Sequence, residues 1–220
     1  GSIRHTQRIN IPPLAQQDLI LNHLPGFVND SFGLLKVGFT GTLAWRMSFY
    51  RTNPFSLRHE FAFSLPLSNP TYGASLVGFN TFQPSSNPDD ALNLVPNWLT
   101  IVNLSSAAKL FRITSFSQNG FEVKRSTTVR VAAYGRADFD GGHGFAGPSH
   151  AGSHLIFPED ETAPYMAVSN RYGSNASPGF MPSRYYFATA LAARAGTGRP
   201  IHLPISTESG GDNWLEYTNA

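Results

Sequence analysis

Along most of this chain apolar and polar residues alternate with a period of two. In TGTLAWRMSFYR, Leu43, Trp45, Met47 and Phe49 fall on one face and Thr42, Ala44, Arg46 and Ser48 on the other. An extended strand is the conformation that separates neighbours in this way. HEFAFSLPLS repeats the pattern with Phe61, Phe63, Leu65 and Leu67. FEVKRSTTVRVAAY carries it further, setting Phe121, Val123, Val129 and Val131 against Glu122, Lys124, Arg130 and Tyr134. LTIVNL, KLFRITSF, SRYYFATAL, RPIHLPIST and DNWLEY are shorter candidates. Turn chemistry bounds them: Asn-Pro at 53, 69 and 87, Asn-Gly at 119, Gly-Gly at 141 and 210. Helical spacing is confined to LAQQDLILNHL (14–24), ended by Pro25-Gly26, and to DDALNL (89–94) after Pro88.

Many short strands joined by Pro- and Gly-rich connections predict an all-β protein. The stretches 68–97 and 140–163 read as long polar connections, too long for a minimal immunoglobulin-like sandwich. They suit an eight-stranded antiparallel jelly-roll β-sandwich with one or two short helices. Residues 1–17 read as an extended amino-terminal arm and 18–220 as a single domain, with no internal repeat.

Composition narrows the picture. At 220 residues and 41% apolar content the chain can bury a sizeable core, and no apolar run approaches membrane-spanning length. The opening GSIRHTQRINIPPL has no apolar signal core, so secretion is not expected from it. Cysteine is absent, which removes disulfides and thiol nucleophiles. The net charge is +2, and arginine outnumbers lysine 13 to 3 without forming a basic stripe. An arginine bias with 13% aromatics and only 14% charged residues favours a surface covered by other subunits.

Candidate chemistry centres on GGHGFAGPSHAGSHLIFPEDET. His143, His150 and His154 have a metal-like composition, and the last two have helical ligand spacing. Six glycines and prolines around them exclude that helix, and the His-x-His of a cupin-type site occurs nowhere. Glu159, Asp160 and Glu161 are adjacent on an extended chain and so diverge, which is poor for a catalytic pair. Neither a Gly-x-Ser-x-Gly elbow nor a phosphate-binding Gly-x-Gly-x-x-Gly in a βαβ setting is found. No catalytic residue, metal ligand or cofactor is therefore expected, and a mobile loop with incidental histidines is the reading of this stretch.

Three segments, in order, resemble capsid proteins of picorna-like viruses, closer to those of insects than to enteroviruses. GFTGTLAWRMSFYR, with Gly41 and Arg46, resembles the strand that follows a short helix in that family. TAPYMAVSNRYG, with Pro164 and Tyr165, is similar to its Pro-Tyr strand. ISTESGGDNWLEY, with Gly211, Asp212 and Trp214, is similar to its final Asp-Asp-Phe element. Thr40, Met166 and Asn213 depart from the pattern, and with only Asp212 of the acidic pair no cleavage role is carried over.

The resemblance implies a structural subunit that assembles with related jelly rolls into an icosahedral shell around positive-strand RNA. Its place would be the virion, assembled in the host cytoplasm, with no membrane insertion. Arg4 and Arg8 on the arm would lie near RNA phosphates. Ser174, Asn175 and Ser177 would belong to an exposed loop available to a host receptor. The competing reading is a carbohydrate-binding β-sandwich module with Trp45, Trp98 or Trp214 as its aromatic platform.

Overall fold

A computed structural model of the chain describes residues 5–27, 34–41, 44, 46–52, 59–65, 69–82, 95–146, 150–174 and 185–195. Their elements are a 3-10 turn, Leu21–His23, and ten strands. The strands are β1 (Met47–Thr52), β2 (His59–Leu65), β3 (Ser75–Asn80), β4 (Asn97–Asn103) and β5 (Lys109–Ser117). Then come β6 (Glu122–Val131), β7 (Arg136–Asp140), β8 (Ala151–Pro158), β9 (Tyr165–Ser174) and β10 (Tyr185–Ala192).

Pairing is antiparallel throughout and nested. β5 and β6 form a hairpin; outward from it β4 pairs with β7, and β3 with β8. Folding this long ribbon over on itself brings β8 beside β5 and β9 beside β4. Two four-stranded sheets result, β3-β8-β5-β6 and β10-β9-β4-β7. Nested pairs divided between two facing sheets are the topology of a jelly roll. The outermost place beside β9 is filled by β10, its own hairpin partner, rather than by a strand preceding β3. The β1-β2 hairpin forms a third, two-stranded sheet, and β2 runs beside β10.

The core lies between the four-stranded sheets. Leu99 and Ile101 of β4 and Tyr165 and Ala167 of β9 face Val77, Phe111, Val131 and Ile156 from the other sheet, all nearly or completely buried. Each large side chain removed from water contributes roughly 1.5–3 kcal/mol. Tyr165 packs edge-on against Phe111, and its hydroxyl donates to the Gly73 carbonyl (2.8 Å) and meets Ser75 Oγ (2.7 Å). Burial pushes that phenol above its ordinary pKa.

Buried asparagines hold both ends of β4. Asn97 donates to the carbonyls of Asn80 and Val95 (2.9 Å each) and accepts from the Asn80 amide. Asn103, wholly buried, bridges the loop after β4 and the end of β6. That burial also closes Asn103 as a glycan acceptor, although Asn103-Leu-Ser fits the acceptor triplet.

Several sequence-based expectations change. The connection 68–97 contains β3, and 140–163 contains β8; RADFD forms β7. Residues 14–24 give only the 3-10 turn: no residue from His5 to Phe27 is buried, so no packed face rewards a helix there. In β6 the register against β5 shifts, placing Lys124 opposite Ser115 and Thr127 opposite Ile113. This bulge turns Lys124 toward the interior side and leaves Val123 and Phe121 exposed, reversing the face expected from alternation. Phe49, expected on a buried face, is about half exposed, as is Tyr50. The candidate segments 89–94, 199–207 and 212–217, and residues Leu43 and Trp45, lie outside the described residues.

Candidate functional site

The stretch 140–154 gathers the titratable and aromatic groups. Its glycines have a packing reason. The Phe79 ring lies against Gly142 and Gly152, where an added Cβ would come within 2.6 Å and 2.7 Å of ring carbons. Gly142 also holds φ at +132°, open to glycine alone at little cost. His154 stacks on the same ring at 4.9 Å, and Phe145 meets it edge-on at 5.9 Å. The residues that looked like a mobile polar loop thus close one end of the sandwich over Phe79.

Inside this closure His154 is buried. Its Nδ1 accepts from Ser115 Oγ at 2.9 Å and its Nε2–H donates to the Gly141 carbonyl at 3.2 Å, an arrangement that fixes the tautomer. Burial pushes its pKa down to about 4; the Gly141 bond opposes that shift and the Lys124 ammonium adds to it, while Asp140 opposes it. A cavity of about 40 Å³ adjoins the pair, lined by Leu99, Phe139 and Asp140 from one sheet and Ile113, Ser115 and His154 from the other. A hydroxyl bonded to an oriented imidazole is the grammar of an activated nucleophile. Here both groups are closed off from solvent, the base is weak at neutral pH, and the cavity has room for water but not substrate. What the pair does is tie β5 and β8 to the loop after β7.

The other two histidines are elsewhere. His143 Nδ1 lies 2.8 Å from the Asn97 carbonyl oxygen and 3.2 Å from Asp140 Oδ1, and its ring meets Trp98 at 5.1 Å. His150 is exposed ahead of β8, where its amide donates to Thr81 Oγ1 at 2.9 Å. Among the described residues no three His, Asp or Glu side chains converge as metal ligands. Of the acidic triplet, Asp160 pairs with Lys109 at 2.5 Å and accepts from the Thr162 hydroxyl and amide. Those bonds, Lys109's first, hold its carboxyl down to about 2.

On the outer face of the second sheet lies a group that the sequence flagged only through Trp98. Trp98 stands at 41% exposure in a central strand. In register it is opposite Asp140 of β7 and Asn170 of β9. A hydrogen-bond chain leads away from that row: buried Asn170 donates through Nδ2 to buried Thr100 Oγ1 (3.3 Å), Thr100 donates to Asp138 (2.5 Å), and Arg136 clamps Asp138 through two nitrogens. The strand expected from the sequence, LTIVNL, begins one residue after Trp98, and the pairing that flanks Trp98 with an acid and an amide is a tertiary fact no local pattern carries.

Of the residues singled out by resemblance, Pro164 stands immediately before β9 and Tyr165 is fully buried at its start. Gly41 takes φ +88°, and Arg46 is exposed just before β1. Arg8 is exposed on the amino-terminal segment, and Ser174 pairs with Tyr185 at the end of β9. Arg4, Asn175, Ser177, Gly211, Asp212 and Trp214 lie outside the described residues.

No family model and no curated protein matches the chain. The crystal structure of Thermotoga maritima 1070 is similar to part of it, at 10% identity and a TM-score of 0.39, over 56% of this chain and 94% of that one.

Proposed function

We propose that this chain is a structural capsid subunit, a jelly roll that associates with related subunits into an icosahedral shell around an RNA genome. One observation carries the reading. From His5 to Phe27 nothing is buried, yet Ile9, Ile11, Leu14, Leu19, Ile20 and Phe27 are exposed by 37–108%. The two four-stranded sheets have a core of their own that does not include them. A segment that leaves this many apolar side chains in water is stabilised when neighbouring molecules cover it. The nested strand order and the exposed Phe49, Tyr50 and Phe121 on the body support the same reading. In the shell Arg8 faces RNA phosphate, the other capsid proteins are the partners, and the chain carries out no catalysis.

Mass photometry of the purified chain over a concentration series tests this. Species larger than the 24.0 kDa monomer are expected to build up with concentration. A variant with Ile9, Ile11, Leu14 and Ile20 all replaced by serine is expected to stay monomeric with unchanged circular dichroism. A wild-type chain that remains monomeric throughout, or a quadruple variant that assembles equally well, overturns the proposal.

A further inference from the structure

The four-stranded sheets end in the strands β3, β6, β7 and β10, and these edges differ in what they offer a neighbour. β2 runs beside β10, and Leu76 of β3 bridges to Arg194. β7 carries Asp138 and Asp140, charges that discourage a further strand. β6 is 10 residues long, and among the described residues it pairs with β5 alone. Hydrogen bonding across β5 shows which backbone groups of β6 are left over. The Glu159 amide donates to the Leu110 carbonyl (3.0 Å), so Leu110 turns its backbone to β8 and Phe111 turns its own to β6. Val129 and Thr127, opposite Phe111 and Ile113, complete that ladder. The N–H and C=O groups of Thr128, Arg130 and, by the same alternation, Ser126 therefore point away from β5. All three residues are exposed, and Ser126 to Val131 contain neither proline nor acid. Such a run is a template for another strand.

We infer that β6 is a docking surface for a second copy of this chain, paired with it antiparallel about a two-fold axis at Thr128. The sheet then continues from β6 into β6 of the second copy. Side chains select both this partner and this register. The axis sets Thr128 opposite Thr128 of the second copy, Ser126 opposite Arg130, and Thr127 opposite Val129. Threonine pairs and β-branched pairs are favourable cross-strand neighbours, and within Ser126 to Val131 no like charges meet. The same operation on β7, centred on Asp138, would set that carboxylate against itself. Backbone groups match as well, because each outward-pointing residue meets another. On the inner face Val129, only partly buried beside the core, gains Thr127 of the second copy as a neighbour. A self-complementary patch of this kind closes at two copies, whereas an unrelated strand would have to reproduce both halves of the match. The paired run is short, so the contact is weak in dilute solution. The inference stands apart from the capsid proposal, which rests on the amino-terminal segment: this pairing serves a shell protein and a free dimer equally.

The absence of cysteine from the full chain makes disulfide trapping the test. Residues opposite each other in a hydrogen-bonded antiparallel pair have Cα atoms about 5.5 Å apart, within reach of a disulfide. On oxidation, Thr128→Cys is expected to yield about ten times more linked dimer than Ser126→Cys or Arg130→Cys alone. An equimolar mixture of those two is expected to link as well as Thr128→Cys. Adding Ser126→Glu to Thr128→Cys sets a carboxylate against Arg130 on both sides of the axis, and is expected to raise the dimer yield about threefold. Adding Ser126→Lys is expected to lower it by a similar factor. Circular dichroism establishes that each variant folds, and if Thr128→Cys does not, the mixture supplies the reading. Equal linking by the three single variants overturns the inference. So does linking that persists in urea, or none from either Thr128→Cys or the mixture. Linked dimers without larger species refute the capsid reading while sustaining this one, and large assemblies in which Thr128→Cys does not link do the reverse.

Discussion

Acidifying the protein from pH 7 to pH 4 is expected to remove about 3 kcal/mol of folding stability through His154 alone. The reason is the difference in proton affinity between the two states. In the unfolded chain this imidazole takes up a proton near 6.5; in the fold, burial delays protonation to about 4. Between those values the unfolded state holds the extra proton, so each step of acidification favours unfolding. The contribution is complete above about pH 6.5 and gone below about pH 4. Ser115, the Gly141 carbonyl, Phe79 and Phe145 surround the ring, with Lys124 and Asp140 the charges that act on it. Lys124 opposes a positive imidazole and Asp140 favours it, leaving burial as the deciding effect.

Urea denaturation at several pH values checks this. Replacing His154 with asparagine lowers stability at pH 7, and between pH 6.5 and 4 its stability curve should be flatter than that of wild type. Parallel curves would mean that His154 does not carry the effect. Asp160 does not confuse the reading. Its stabilisation is present above the ordinary carboxylate range and fades only as the pH falls toward 2, below the histidine window.

The second large effect is expected at Asn103. Its Nδ2 donates toward the carbonyls of Ala107 (2.8 Å), Val131 (3.1 Å) and Ala132 (3.0 Å), and its Oδ1 accepts from the Ser105 amide (2.9 Å) and hydroxyl. Leucine has a similar volume and none of these bonds. Asn103→Leu strands the part-buried Ser105 amide and removes a donor from three carbonyls, of which Val131's is buried, and a buried orphan costs about 1–3 kcal/mol. A loss of about 3–5 kcal/mol is expected, large against the marginal stability of a domain this size. Ser105→Ala, which removes only one hydroxyl, is expected to cost about 1 kcal/mol. Equal urea midpoints for Asn103→Leu and wild type would show that the loop does not depend on this side chain.

These two residues mark where sequence reading stopped. β4, β5 and β10 were legible from alternation, as in Leu99 and Ile101 against Thr100, and β9 only through the resemblance of its Pro-Tyr segment. β8 was not: its inward residues include Gly152 and His154, chosen to fit the Phe79 ring and to bond Ser115 and Gly141 rather than for hydrophobicity. β3 escaped notice because Gly78 and Asn80 read as turn residues, although Asn80 is a partner of buried Asn97. The Lys124–Val123 reversal comes from a bulge, whose position depends on the strand opposite. The helix at 14–24 followed a real pattern with nothing to pack on. The histidines suggested ligands by composition, yet one is core, one braces Trp98 and one is exposed. Asn103 sits inside the expected strand LTIVNL with nothing local to mark it, and only the folded loops reveal it as a clamp.

On the proposed capsid reading, this sandwich is tiled against other molecules of its kind. Negative-stain electron microscopy of material captured from the native source with an antibody to this chain tests that claim most directly. The expected result is antibody-decorated isometric shells that also yield RNA. A captured chain that appears only as single molecules, free of nucleic acid and of other capsid proteins, would contradict it.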